Sequence, residues 1–207
     1  NGQRIFTPLQ SIQAQRDQGV VKQGYDYSCG AGALATLLTY GLDDPVDEET
    51  IIRHILASLP QDQEQLRKKQ GLSLLDLQGV AMARGHKAQG FRLASEYLPQ
   101  LRGPVIVFIK PRGYAHFAVL KAIRGDRAYL ADPSLGNVRM PIYQFLDMWQ
   151  ADNGKGIVFV VGRKDGDLTK STFSPLPANG LAQPEILAAR QMLEVGNPSI
   201  RFPSLLH

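Results

Sequence analysis

Three residues of this chain carry side chains that can perform covalent chemistry together: the thiol of Cys29, the imidazole of His116 and the carboxylate of Asp132. A thiol, a base and an acid that orients the base are the parts that nucleophilic acyl transfer needs. Cys29 is the only cysteine, so no internal disulfide and no cysteine-based zinc cage is open to it. It opens an Ala/Leu-rich run at the start of an expected helix, where unpaired N–H groups and the positive dipole end favour a thiolate. Gly30 and Gly32 beside it leave room for a substrate backbone. A small buried hydrophobe on an Ala-rich helix is the competing reading, weakened by the polar run Asp26-Tyr27-Ser28 directly upstream.

His116 lies in an otherwise apolar strand, Tyr114 to Val119, where a polar ring must find a partner; a satisfied core histidine is the alternative. Asp132 precedes Pro133 at a strand end, where ordinary Asp-Pro turn chemistry competes. His54, His86 and His207 are assigned surface roles. Parity tests whether His116 and Asp132 can meet. A two-residue loop at Gly125-Asp126 would pair Arg124 with Arg127 and send the two side chains to opposite faces. Their pairing therefore calls for a bulge or an odd loop, expected between Ile123 and Arg127.

The elements that must position these groups follow from periodicity. Apolar residues at helical spacing predict a helix from Gly30 to Tyr40, stopped by Gly41. Asp47 caps a second helix, with Glu48 and Glu49 in its first turn, running through Leu59 to Pro60. Gln61–Gln70 is polar except for Leu66, either a solvated helical extension or a mobile loop. Ser73 and Asp76 form a capping box for a helix to Arg84, closed by Gly85. The period then falls to two. Strands are expected at Pro104–Lys110, Ala115–Ile123, Ala128–Ala131 and Gly156–Gly162, with a short amphipathic helix at Pro141–Trp149. Helices first and antiparallel strands later predict an α+β fold.

The chain has 207 residues, 43% hydrophobic and 20% charged, which fits one globular domain and excludes global disorder. No apolar run approaches the roughly 20 residues of a membrane span. A net charge of +4 is too weak to argue for nucleic acid. The basic runs Arg67-Lys68-Lys69 and Arg163-Lys164 have no aromatic platform among them, so a solvated face is the reading there. Neither a metal site nor a cofactor motif is readable. Residues 1–22 read as a polar, Gln-rich lead-in. Five of the thirteen prolines fall in 171–207, so 163–207 is expected to be a Pro-rich appendage to a domain spanning 1–162. The first residue, Asn1, fits a processed exported protein and equally a trimmed chain.

Several spaced motifs resemble one family. Gln23 before Cys29-Gly30, Gly71-Leu72-Ser73 before a helix, Leu98-Pro99 before a strand, Ala115 to Leu120, Ala131 to Gly136 and Phe145 through Trp149 are similar, in order, to the C39 peptidases, which cleave double-glycine leaders. The resemblance covers about residues 20–162 and implies a papain-like cysteine protease fold, with N-terminal helices packed on an antiparallel sheet. By position it implies Cys29 as nucleophile, His116 as general base, Asp132 as the group orienting the imidazole, and Gln23 as an oxyanion donor. It also implies a polypeptide substrate cut after a small pair such as Gly-Gly. Ser28 departs from the Asp that members often carry before the cysteine. Many members are fused to a transporter; a stand-alone exported member is similar to the protease-like component of functional-amyloid secretion systems. That similarity implies a periplasmic protein whose partner is an exported, amyloid-forming or secretion-system polypeptide. A peptide-binding chaperone that keeps the fold without the chemistry is the alternative, and a Cys–His enzyme acting on cell wall or forming isopeptide bonds is a third.

With one cysteine, alkylation by iodoacetamide reports Cys29 alone. Its rate is expected to stay high below neutral pH and to collapse there in His116→Ala. Alkylation that rises only above about pH 8 in both proteins would leave an unactivated thiol and favour the binding reading.

Overall fold

A computed structural model describes residues 11–164, apart from 102 and 152. Six helices and six strands appear in the order α1 (Ile12–Asp17), α2 (Cys29–Thr36), α3 (Glu48–Ala57), α4 (Gln61–Gln70), α5 (Leu74–Ala83), β1 (Lys87–Ala94), β2 (Val105–Ile109), β3 (His116–Arg124), β4 (Arg127–Asp132), β5 (Gly136–Pro141), α6 (Ile142–Trp149) and β6 (Lys155–Gly162). The strands form one antiparallel sheet in the order β1-β6-β2-β3-β4-β5. The architecture is α+β, with helices before the sheet in the chain.

Two apolar clusters account for the layers. Leu34, Leu38, Ile51, Ile55 and Leu77 bring α2, α3 and α5 onto one face, against Val119, Ala131 and Phe159. On the other face Phe145 and Trp149 of α6 pack on Val107, Leu130 and Val158. These two rings stack at 5.7 Å, and Trp149 Nε1 donates to the Ile157 carbonyl at 2.9 Å. Fully burying a side chain of this size stabilises the fold by ~1.5–3 kcal/mol.

The helix starts follow their expected caps. Asp47 accepts from the Thr50 amide at 2.6 Å, and Ser73 and Asp76 form the reciprocal capping box. The helix opened by Cys29 passes into a wider π-type turn at Leu37–Gly41. Gln61–Gln70 is helical with no buried residue; Arg67 holds it to Asp76 at 2.6 Å, and Lys68 pairs with Glu64 at 2.6 Å. Two strands and one helix fall where no element was expected. Gln89, Gly90 and Arg92 dilute the alternation of β1, and β5 is short and polar; both are edge strands. α1 has no buried residue and is held by Arg16 Nε donating to the Leu135 carbonyl at 2.8 Å.

Two expectations need correction. His86 is a core residue, 3% exposed: its Nδ1 faces the Gly162 carbonyl at 2.9 Å and its Nε2 faces Asp44 Oδ2 at 3.0 Å. Asp44 also takes both Nε and Nη2 of Arg84, at 2.8 and 2.7 Å, so this network ties the helix layer to the end of β6. The hairpin between β3 and β4 has the regular two-residue loop, Arg124 opposite Arg127, so neither bulge nor odd loop lies between Ile123 and Arg127. The register shifts further along instead, at Lys121, between Leu120↔Leu130 and Ala122↔Tyr129. That extra residue inverts the parity and gives His116 the phase of Asp132. The proposed appendage lies outside the described residues except for Arg163 and Lys164, as does His207.

Gly156 marks the tightest contact in the sheet: a Cβ there would sit 2.1 Å from the Trp149 ring. Gly156→Ala is expected to lower stability by about 3 kcal/mol or more, read as a fall in Tm, because the indole has to leave its slot. An unchanged Tm would show that α6 repacks freely.

Candidate active site

Cys29 is the first residue of α2 and is buried, with Gly30 behind it packed on Phe117 of β3. Gly30 and Gly32 are small for steric reasons. A Cβ on Gly30 would come within 3.2 Å of the Phe117 ring, and one on Gly32 within 2.8 Å of Pro133 Cβ. The absence of both side chains lets α2 lie against β3 and against the turn at the end of β4.

That turn carries Asp132, which is 6% exposed. His116 Nε2 donates to Asp132 Oδ1 at 3.0 Å. The same oxygen accepts from the Ser134 amide at 2.8 Å, the Ser134 hydroxyl at 2.6 Å and the Leu135 amide at 3.1 Å. Since a carboxylate only accepts, Nε2 carries a hydrogen, which leaves Nδ1 as the ring nitrogen not bonded to Asp132, and the Cys29 thiol is near enough to act on the charge of the ring. Burial alone would pull the His116 pKa down. The Asp132 and Cys29 hydrogen bonds and the charges of both groups outweigh it and lift the ring from 6.5 to about 9. Burial pushes Asp132 upward, but the His116 and Ser134 hydrogen bonds and the His116 charge prevail and hold it below its ordinary value.

Gln23 joins the same turn through its backbone, donating its N–H to the Pro133 carbonyl at 2.9 Å. Its side-chain Nε2 donates to the Tyr25 carbonyl at 3.0 Å. Reversing the amide would set two acceptors face to face, so this orientation is fixed. One amide hydrogen is used in that bond, and the group carries a second. Gln23 Oε1 is buried without a hydrogen-bond partner among the described residues. Such an atom costs ~1–3 kcal/mol and is the kind of exception that functional sites retain.

Of the four residues singled out in the sequence, Asp132 bonds to His116 and Cys29 acts on the same ring, while Gln23 is tied through its backbone to the turn beside Asp132 and turns its side chain to the Tyr25 carbonyl. Two further participants carried no local signal. Ser134 reads as a turn residue, and Glu48 as an acid at a helix start. Glu48 is in fact 9% exposed and accepts from the Gly24 amide through both oxygens at 2.9 Å and from the Ser28 hydroxyl. Only residue pairing between positions 24, 28 and 48 could have exposed it.

With the site in place, the chain can be compared with known proteins. It is 36% identical over 197 residues to a probable functional amyloid protease, FapD, of Pseudomonas aeruginosa, spanning 95% of this chain and 80% of that one. A protein of the same description from Pseudomonas fluorescens is 38% identical over 84% of this chain and 74% of its own length. Among solved structures, the peptidase domain of Streptococcus ComA, a bifunctional ABC transporter of a quorum-sensing pathway, superposes with a TM-score of 0.55 at 20% identity, over 70% of this chain and 97% of that domain, a likeness of fold.

The raised His116 pKa has a definite sign. The charged ring stabilises the fold fully below its ordinary value of 6.5, and that contribution is lost as pH rises through about 9. In Asp132→Asn the first raising cause disappears, so the His116 ring, followed by NMR, is expected to titrate well below the wild type's value of about 9. An unmoved titration would separate Asp132 from the ring. A profile of the peptidase C39 family matches residues 17–159, and with relatives this similar over most of its length the chain belongs to that family.

Proposed function

We propose that this chain is a cysteine endopeptidase that cleaves an exported polypeptide, after a small pair such as Gly-Gly, in the service of amyloid or fimbrial subunit secretion or assembly in the periplasm. The observation that carries the enzymatic reading is the His116 ring, hydrogen-bonded to Asp132 at 3.0 Å and close enough to the buried Cys29 thiol for that thiol to act on its charge. The substrate reading rests on the two Pseudomonas relatives, both described as probable functional amyloid proteases. The stacked Tyr25 and Tyr27 rings, 5.4 Å apart, wall an open groove of about 720 Å³ with Ile52 and Leu56, room for side chains of a polypeptide.

The chemistry runs in two halves. Cys29 passes its proton to His116 Nδ1, and the thiolate attacks the peptide carbonyl carbon; a C–S bond forms and the π pair moves to oxygen. The Gln23 amide and the Cys29 backbone N–H stabilise that oxyanion. The imidazolium then gives its proton to the leaving nitrogen as the C–N bond breaks. Water, deprotonated by His116, attacks the thioester; the C–S bond breaks and the thiolate returns. Asp132 accepts from Nε2–H throughout and keeps Nδ1 aimed at sulfur.

A fluorogenic peptide with Gly-Gly before the scissile bond tests this directly. Wild type is expected to turn it over, with cleavage after the second glycine by mass spectrometry. Cys29→Ala should abolish turnover, and Gln23→Ala should lower kcat by ~10²–10³. An activity curve that falls above about pH 9 is expected from loss of the imidazolium. Binding of such peptides without any cleavage would replace the enzyme with the chaperone reading.

A further inference from the structure

We infer that Glu48 is a positioning residue for the oxyanion donor, a role that rests on the peptidase reading above. Glu48 stands at the first position of α3, far from the site in sequence, with its carboxylate buried against the turn between Gln23 and Cys29. It bonds two residues of that turn, Gly24 and Ser28. Gly24 is the immediate neighbour of Gln23, and Ser28 of Cys29. One rigid acid therefore holds both ends of the span that separates the oxyanion donor from the nucleophile.

The local chemistry is built around this clamp. A Cβ on Gly24 would lie 3.2 Å from Glu48 Oε2, so glycine permits the close approach. Ser28 is the residue before α2, but its hydroxyl makes no capping bond to the helix; its one hydrogen goes to Glu48, its oxygen accepts from the Tyr25 amide at 3.2 Å, and the Ser28 backbone N–H donates to the Tyr25 carbonyl at 3.2 Å. That same Tyr25 carbonyl accepts from Gln23 Nε2 at 3.0 Å. A hydrogen-bonded path thus runs from Glu48 through Ser28 and Tyr25 to the amide that faces the oxyanion. His116 and Asp132 are outside this path, so its loss should displace the oxyanion donor while leaving the Cys–His pair in place.

Two reagents separate these effects on the single cysteine. Iodoacetamide alkylates the thiolate with no oxyanion formed. A peptide aldehyde, acetyl-Leu-Gly-glycinal, reacts by addition: a C–S bond forms, the carbonyl π pair moves to oxygen, and that oxygen takes the proton from the imidazolium. Glu48→Ala is expected to slow aldehyde capture and to lower kcat on the Gly-Gly peptide by about 10–100-fold, part of the ~10²–10³ of a lost donor, with KM and alkylation within about 3-fold. Glu48→Gln, which can still accept from Gly24 and meet Ser28, should recover most of that loss. In a Gln23→Ala background, Glu48→Ala should add no more than about 2-fold, since both act through one group. If Glu48→Ala does not fold, Ser28→Ala should show the same selective slowing of aldehyde capture, by about 3–10-fold, because it removes one link of the path.

Equal losses in alkylation and aldehyde capture, or additive losses with Gln23→Ala, would overturn the inference and leave the peptidase intact. The same holds if the Glu48 and Ser28 variants match wild type. A wild type that neither captures the aldehyde nor cleaves the peptide would instead bring down the peptidase reading, and the role of Glu48 with it.

Discussion

Four donors converge on a single oxygen of Asp132: the His116 ring, two groups of Ser134 and the Leu135 amide. A carboxylate this well satisfied stays ionised although it is buried. Its charge then fixes the orientation of the imidazole and keeps the ring protonated far above the usual range for histidine. The turn that presents Asp132 also anchors the other half of the site. Its Pro133 carbonyl takes the Gln23 amide, and its Pro133 ring fills the gap that Gly32 leaves in α2. Cys29, His116 and Gln23 are all located relative to this one turn.

The strand pairing that delivers His116 to the turn depends on one extra residue. A regular hairpin between β3 and β4 would put His116 and Asp132 on opposite faces. The bulge at Lys121 removes that conflict without disturbing the tight Gly125-Asp126 loop. Lys121 is itself tied down, its Nζ donating to Asn137 Oδ1 at 2.5 Å. Asn137 in turn donates to the Arg16 and Gln18 carbonyls, at 3.0 and 2.7 Å, which fastens the end of α1 over β5. Burial lowers the Lys121 pKa to about 8, so this contact sits in a poorly solvated place. The described part of the polar lead-in, from residue 11 onward, is therefore part of the scaffold around the site.

The helix layer meets the sheet under similar constraint. Gly30 and Gly32 are set by close approach, with side chains of Phe117 and Pro133 where their own would be. Glu48 fixes the turn before α2 from the helix layer, and Asp44 with Arg84 and His86 fixes the far side against Gly162. A buried acid, Glu48, and a partly buried one, Asp44, thus stand at the two margins of the layer, each satisfied by several donors. The reactive groups lie between them, at the junction of helix and sheet.

The residue types and their local signals were enough to determine the helices that start at Cys29, Asp47 and Ser73, the central strands, and Cys29, His116 and Asp132 as candidates for chemistry. Gln23 came from the family resemblance, and Gln61–Gln70 stayed open between helix and loop. A helix cap, an apolar run and a lone thiol before a small-residue helix all act within a few positions of one another. What they could not determine are relations between distant segments. Parity along β3 announced that an irregularity was needed, but its place at Lys121 depends on how β4 and β5 pack beside it. His86 looked like a surface histidine because Asp44 and Gly162, which bury it, are far away in sequence. Glu48 looked like a helix-dipole acid because its partners lie on a turn 20 and 24 positions upstream. The edge strands β1 and β5 were silent because most of their positions are only partly buried and tolerate polar residues and glycine. Chemistry was written in single residues; its geometry arose only when burial made distant polar groups find one another.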